Sequence, residues 1–119
     1  MRYMLLINTP ESHYASLDAD QMGELMGAYG TFTEDLQKSG AMLSAERLQP
    51  TSTATTVRVR DGKAQAVDGP FAETKEQFGG YYLIEVANLD EAIAWAQKIP
   101  SATYGSIEIR PIWESEDPQ

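Results

Sequence analysis

Tyr81-Tyr82-Leu83-Ile84-Glu85-Val86 (YYLIEV) is the stretch on which the fold turns. Every position but Glu85 is apolar or aromatic, and the run is too short for a helix of ordinary length. Such runs suit a strand buried on both faces. Downstream, Asn88 is placed to cap a helix, with Glu91 three residues on in the capping-box position. Leu89, Ala92, Ile93, Ala96 and Ile99 form that helix's apolar stripe, and Pro100 stops it. Ser106–Ile112 reads as the last strand, and Pro111 puts its end at a sheet edge or exit. Upstream, residues 72–80 read as a polar connection ending in Gly79-Gly80, either a lid hinge or a bulge that starts the strand.

The first half of the chain repeats the pattern. Tyr3–Ile7 (YMLLI) is a second continuous apolar run, and Asn8–Ser16, polar and holding Pro10, reads as a loop. Met22, Leu25, Met26, Tyr29, Phe32, Thr33 and Leu36 then recur at helical spacing. Asp18 caps this helix with Gln21 as its capping-box partner; Lys38 sits in the last turn and Gly40 just beyond it. Gly23, Gly27 and Gly30 lie inside it, each costing about 1 kcal/mol relative to Ala. They either allow close approach of a strand or ligand on one side, or are tolerated because tertiary packing outweighs them. Ala41–Leu48 reads as a strand and residues 49–53 as a loop around Pro50. Thr55–Arg60 alternates with period two, Asp61-Gly62 is a two-residue hairpin turn, and Lys63–Val67 returns. This hairpin reads as a peripheral ribbon, since one of its faces carries Arg58 and Arg60.

With the hairpin set aside, the order is β-α-β-β-α-β, the ferredoxin-like split βαβ of the α+β class. Its antiparallel sheet carries both helices on one face, so the other face should be polar at alternate positions. YMLLI and YYLIEV are not. The economical cover is a second copy packed face to face about a two-fold axis, and a homodimer is expected. A single domain over residues 1–113 and an acidic flexible tail over 114–119 are expected.

Nine Lys and Arg against eighteen Asp and Glu give a net charge of -9. With no basic run, phosphate-backbone binding and anionic membrane surfaces are excluded as partners. The chain contains no cysteine, which removes disulfides, thiolate catalysis and Cys-based zinc sites. Met4–Ile7 is too short for a signal-peptide core or a membrane span, and a cytoplasmic protein is expected. No motif calls for a cofactor: there is no Gly-rich phosphate loop, nucleophile elbow or metal-spaced carboxylate set.

The stretch Asp68-Gly69-Pro70-Phe71-Ala72-Glu73-Thr74-Lys75-Glu76, running on to Gly79-Gly80-Tyr81-Tyr82-Leu83-Ile84, resembles the DGPF domain family, a branch of the YCII-related proteins. Thr55-Thr56-Val57-Arg58 and Glu108-Ile109-Arg110-Pro111-Ile112 fit the same pattern, so the resemblance spans nearly the whole chain. It implies a dimeric α/β-barrel built from ferredoxin-like subunits. Some YCII-related proteins carry a His and Asp pair in a cleft, with the His on the first helix. Here that helix has no histidine, and Tyr29 stands nearest its position; His13, the chain's one histidine, precedes the helix. DGPF proteins occur alongside extracytoplasmic-function sigma factors, which implies a sensor or accessory role.

Asp68 is the candidate general acid or base, with the competing role of opening the Asp-Gly-Pro turn by bonding backbone N–H groups. Glu46, Arg47 and Arg110 are charged residues in or beside buried strands, suited either to a small anionic ligand or to ion pairs at the sheet margin. Tyr29 and Tyr82 are the aromatic candidates for ligand contact, and alternation puts Tyr81 and Tyr82 on opposite sheet faces. The function expected is binding of a small molecule in a cleft between helices and sheet; the alternative is an enzyme using Asp68 on a small anionic substrate.

Overall fold

The computed structural model describes residues 1–114. In chain order the elements are strand β1 (Arg2–Thr9), helices α1 (Glu11–Ala15) and α2 (Ala19–Ser39), strands β2 (Met42–Arg47), β3 (Thr55–Arg60), β4 (Lys63–Asp68) and β5 (Gln77–Glu85), helix α3 (Leu89–Ala96) and strand β6 (Ser106–Pro111). Short 3-10 turns occupy Thr51–Thr53 and Pro100–Thr103. The fold is α+β. Its main sheet has the order β2-β5-β1-β6, antiparallel at every pairing, and it is open, with β2 and β6 as edges. The two apolar runs form its centre, Leu5 opposite Tyr82 and Leu6 opposite Tyr81.

One face of this sheet is the core. Tyr3, Leu5, Ile7, Tyr82 and Ile84 are buried there against Phe32 and Leu36 of α2 and Ala92 and Ala96 of α3. Burial along β1 alternates strictly although its residues do not alternate in polarity. Met4, Leu6, Tyr81 and Leu83 lie on the other face and are half-buried; Phe78 and Leu43 are exposed there or at its margin. The sequence reading of strands buried on both faces therefore holds for one face within a single chain.

The expected caps are present. Asp18 Oδ1 accepts from Gln21 N–H at 2.8 Å and Gln21 returns an acceptor to Asp18 N–H at 3.0 Å. Gly40 takes φ 80°, the left-handed ending that glycine allows without strain. Asn88 accepts from Glu91 N–H, while the Glu91 carboxylate reaches Ala87 N–H rather than that of Asn88.

Four readings need correction. Residues 8–16 are not a loop: β1 continues to Thr9, and Pro10 introduces α1, since a fixed φ near -65° suits a helix start. Residues 77–80, expected in a polar connection, belong to β5, with a bulge between Ile7 and Asn8 opposite Gly79. Gly80 is held to glycine by close approach, since a Cβ there would lie 2.8 Å from the Glu46 carbonyl oxygen. Gly23, Gly27 and Gly30 face open space, so no close approach explains them. Of the acidic tail expected over 114–119, Glu114 pairs with Arg2 at 2.9 Å, and residues 115–119 lie outside the described residues.

The β3–β4 hairpin projects as the expected ribbon. Every residue from Val57 to Asp68 is exposed, and Val57, Val59, Ala64 and Ala66 share one of its faces. No helix of the described residues is long and apolar enough to cross a membrane.

Candidate functional site

The apolar stripe of α2 is buried only in its second half, at Phe32 and Leu36. Met26 and Tyr29, in the first half, stand off the sheet, and between them and β1, β5 and β2 lies a cavity of about 830 Å³. Ile7, Ala45, Gly80 and Tyr82 line it from the sheet and Tyr14 from α1, while the segment from Arg47 to Pro50 borders it. Its volume falls in the range of small-molecule sites, and its lining is mainly apolar, with few polar groups.

Helix α1 is fixed from outside its own turn. Glu11 N–H donates to Gln77 Oε1 at 2.8 Å, and the Glu11 carboxylate accepts from Thr51 N–H at 2.9 Å and Thr51 Oγ1 at 3.1 Å. These bonds tie α1 to β5 and to the turn after β2, and so fix Tyr14 against the cavity.

Thr9, Tyr14 and Tyr29 of the cavity lining belong with Ser101 and Tyr104, which do not line it, to a group of hydroxyl side chains. Tyr29 shares a hydrogen bond with Ser101 Oγ, and Ser101 shares another, 3.2 Å long, with the Tyr104 hydroxyl. Thr9 Oγ1 donates to the Tyr14 hydroxyl at 3.4 Å. Ser101 is fully buried and Thr9 nearly so. His13 stacks on Tyr104, their ring centres 3.9 Å apart, so it is a packed aromatic rather than a plain loop residue. Gly105 lets the Pro100–Thr103 turn sit this close to β1: a Cβ there would collide with the Asn8 carbonyl oxygen and lie 2.8 Å from Thr9 Cγ2.

This grouping separates the acidities of the three phenols. Burial pushes Tyr29 well above the ordinary tyrosine value, with the Ser101 bond a partial offset. Burial likewise pushes Tyr104 up to about 12. Burial acts on Tyr14 in the same direction, but the Thr9 hydrogen bond, the nearby Ser101 and Tyr104 hydroxyls and the Arg47 charge more than offset it; Tyr14 ends below the ordinary value. Tyr82 is raised by burial while its hydroxyl bonds Thr33 Oγ1 at 2.7 Å.

Four of the residues singled out from sequence, Tyr29, Glu46, Arg47 and Tyr82, border this cavity. Glu46 and Arg47 are exposed at its rim and, among the described residues, neither forms an ion pair; Arg47 Nη1 instead lies 3.7 Å from Met26 Sδ. Arg110 is elsewhere. It stands on the opposite sheet face beside Met4 and pairs with Glu108 at 2.6 Å. Asp68 is exposed at the end of β4 and does not line the cavity. Nor does its side chain hold the turn: Gly69 adopts φ 101°, its N–H donates to the Ala54 carbonyl at 2.7 Å, and Thr56 Oγ1 donates to the Gly69 carbonyl.

The residues missed from sequence are Thr9, Tyr14, Ser101 and Tyr104. Tyr14 fell in a presumed loop, and Ser101 and Tyr104 in the gap after a presumed helix stop. Among the described residues no group of three or more His, Asp or Glu could hold a metal ion.

The sequence matches the model of the YCII-related domain over residues 1–116. It is 36% identical over 114 residues to an uncharacterized protein of Rhizobium meliloti (strain 1021), covering 94% of this chain and 92% of that protein. With the domain match running through both central strands, both long helices and every residue of the cavity, the chain belongs to the YCII-related family.

Proposed function

We propose that this protein is a homodimer that binds a small, largely apolar anion in the cavity beneath α2. The observation that carries the reading is the cavity itself: about 830 Å³, mainly apolar walls, the side chains of Thr9, Tyr14 and Tyr29 in its lining, and at the rim Arg47, which forms no ion pair among the described residues. Apolar walls supply affinity through burial, and a guanidinium fork fits a carboxylate. In this reading the subunit is ferredoxin-like and belongs to the DGPF branch, on the strength of the segment from Asp68 to Glu76. It serves as a cytoplasmic sensor or accessory factor in sigma-factor-linked signalling.

The second copy would cover two bare surfaces. Met4, Leu6, Tyr81 and Leu83 form an apolar centre on the outer sheet face, with Arg2, Glu46, Glu85, Glu108 and Arg110 at its margins. An apolar centre within a charged rim is the usual anatomy of an interface. The hairpin face of Val57, Val59, Ala64 and Ala66 is also bare, and an isolated two-stranded ribbon is marginal without a neighbour. Sheet-to-sheet packing of two such subunits gives the dimeric α/β barrel.

Ligand binding is tested by thermal unfolding against a panel of aromatic and aliphatic carboxylates, with the wild type beside Arg47→Gln and Ala45→Trp. The expected result is a concentration-dependent rise in melting temperature for apolar acids. Arg47→Gln should weaken it and Ala45→Trp, which fills the cavity, should abolish it. A rise that survives Ala45→Trp would place the ligand elsewhere and end this reading. The Asp68 enzyme reading has no comparable support, because its carboxylate lies outside the cavity.

A further inference from the structure

Arg47 ends β2, and its backbone is seated closely against β5: a Cβ at Gly80 would lie 2.8 Å from the Glu46 carbonyl oxygen and 3.4 Å from Arg47 Cα. The side chain is held differently. It is exposed, and among the described residues its guanidinium makes one hydrogen bond, from Nη1 to Met26 Sδ at 3.7 Å. Met26 reaches it from the half of α2 that stands off the sheet, and both residues border the cavity. The contact therefore spans the rim from helix to edge strand.

The partner in this contact is neutral. A thioether is a weak acceptor without charge, whereas a guanidinium has five N–H donors and no acceptor. One N–H on sulfur leaves the positive charge uncompensated and leaves donors free for the two oxygens of a carboxylate. An acidic side chain in place of Met26 would compete with an anionic ligand for the same group. The two carboxylates of the lining do not take that part. Glu11 is engaged by Thr51, and Glu46 forms no ion pair among the described residues.

We propose that Met26 is a positioning residue: its sulfur holds the Arg47 guanidinium at the rim without neutralising it, so the cavity selects acids over neutral molecules of the same shape. The inference rests on the anion-binding reading of the cavity. Immobilising a free, rotamer-rich arginine when the ligand arrives lowers affinity. A guanidinium already resting on Met26 has given up part of that freedom beforehand.

The probes are 1-naphthylacetate and its primary amide, which share an apolar body and differ in charge. Dissociation constants are measured by calorimetry, and the preference for the acid is the readout. Packing of Met26 on the ligand affects both molecules alike and cancels in that ratio, so a merely structural loss does not move it. The wild type should prefer the acid, and Arg47→Gln should remove most of the preference. Met26→Ala and Met26→Leu should each lower it about 2- to 10-fold, the range for freezing one long side chain. Met26→Gln, with a neutral carbonyl oxygen as acceptor, should recover most of that loss, and Met26→Glu should lower the preference further than Met26→Ala does. Circular dichroism checks that each variant is folded. A preference that is lost in Arg47→Gln but intact in folded Met26→Ala and Met26→Leu overturns the positioning role and leaves the binding reading standing. So does a Met26→Gln protein that behaves like Met26→Ala. A wild type that binds acid and amide alike, or binds neither, overturns the proposal too; the carboxylate panel then decides whether the binding reading falls with it.

Discussion

Removing the Ser101 hydroxyl should show how much the buried hydroxyl cluster contributes to stability. Ser101 has no exposed surface, and its Oγ is the hydrogen-bond partner of both Tyr29 and Tyr104. Ser101→Ala deletes one oxygen and leaves the half-buried Tyr29 hydroxyl without its partner. A buried polar group so stranded costs about 1–3 kcal/mol. A domain of this length loses roughly 4 °C of melting temperature per kcal/mol, so the drop should be about 4–12 °C. Tyr29→Phe removes the other half of the bond and should cost about 1 kcal/mol. The double variant should cost less than the sum, because the stranded hydroxyl is then gone; a coupling of about 0.5–3 kcal/mol is the range for groups in direct contact. The assay is thermal and urea unfolding of the four proteins at one protein concentration, which holds any dimer equilibrium comparable. Additive losses would refute the reasoning, since the two hydroxyls would then not depend on each other. A Ser101→Ala protein as stable as the wild type would do so too.

Other consequences of the same geometry can be checked directly. Gly27→Ala should stabilise the protein by about 0.5–1 kcal/mol in urea unfolding, because a Cβ there meets nothing within 4 Å and α2 gains a better helix former. Gly105→Ala should do the opposite, lowering the urea midpoint, since its Cβ would strike the backbone of β1. Alkali should weaken the fold between pH 10 and about 12: Tyr29 and Tyr104 have folded values above the ordinary 10.0, so the folded state holds more protons and stability falls as pH rises. Tyr14 works in the opposite sense below pH 10, and Tyr29→Phe should flatten the alkaline loss in a pH series of urea midpoints. Leu6→Asp, at the centre of the outer sheet face, should halve the mass seen by light scattering; a wild-type monomer would sink the homodimer.

The framework was legible because it rests on local rules and on burial. Asp18, Gln21 and Gly40 mark the ends of α2 by capping chemistry that needs no tertiary context. YMLLI and YYLIEV read as buried core strands, and the register puts them side by side at the centre of the sheet. What these runs could not give is which residues of α2 touch the sheet. Met26 and Tyr29 repeat as regularly as Phe32 and Leu36, yet the second pair is buried and the first is not, because the cavity intervenes. Periodicity reports the side of a helix, not its distance from the sheet. Arg110 shows the same limit: its strand was read correctly, but the side of the sheet it faces depends on register with β1.

The hydroxyl cluster was missed for a different reason, and it lies in two prolines. Pro10 was read as a loop residue and Pro100 as a helix stop. Both readings use the fact that proline cannot sit inside a helix, and both neglect that it can begin one. Pro10 opens α1, which carries His13 and Tyr14; Pro100 opens the 3-10 turn that carries Ser101 and leads to Tyr104. Each turn is too short to show a period, so nothing but the proline marks it. The turns are then joined by contacts with no local signature, His13 on Tyr104 and Ser101 on Tyr29, between positions far apart in the chain. A carboxylate in a glycine–proline turn looks like chemistry in a sequence. A serine behind a helix-ending proline looks like nothing, and here the serine is the buried residue whose oxygen two phenols share, while the carboxylate of Asp68 stands in solvent.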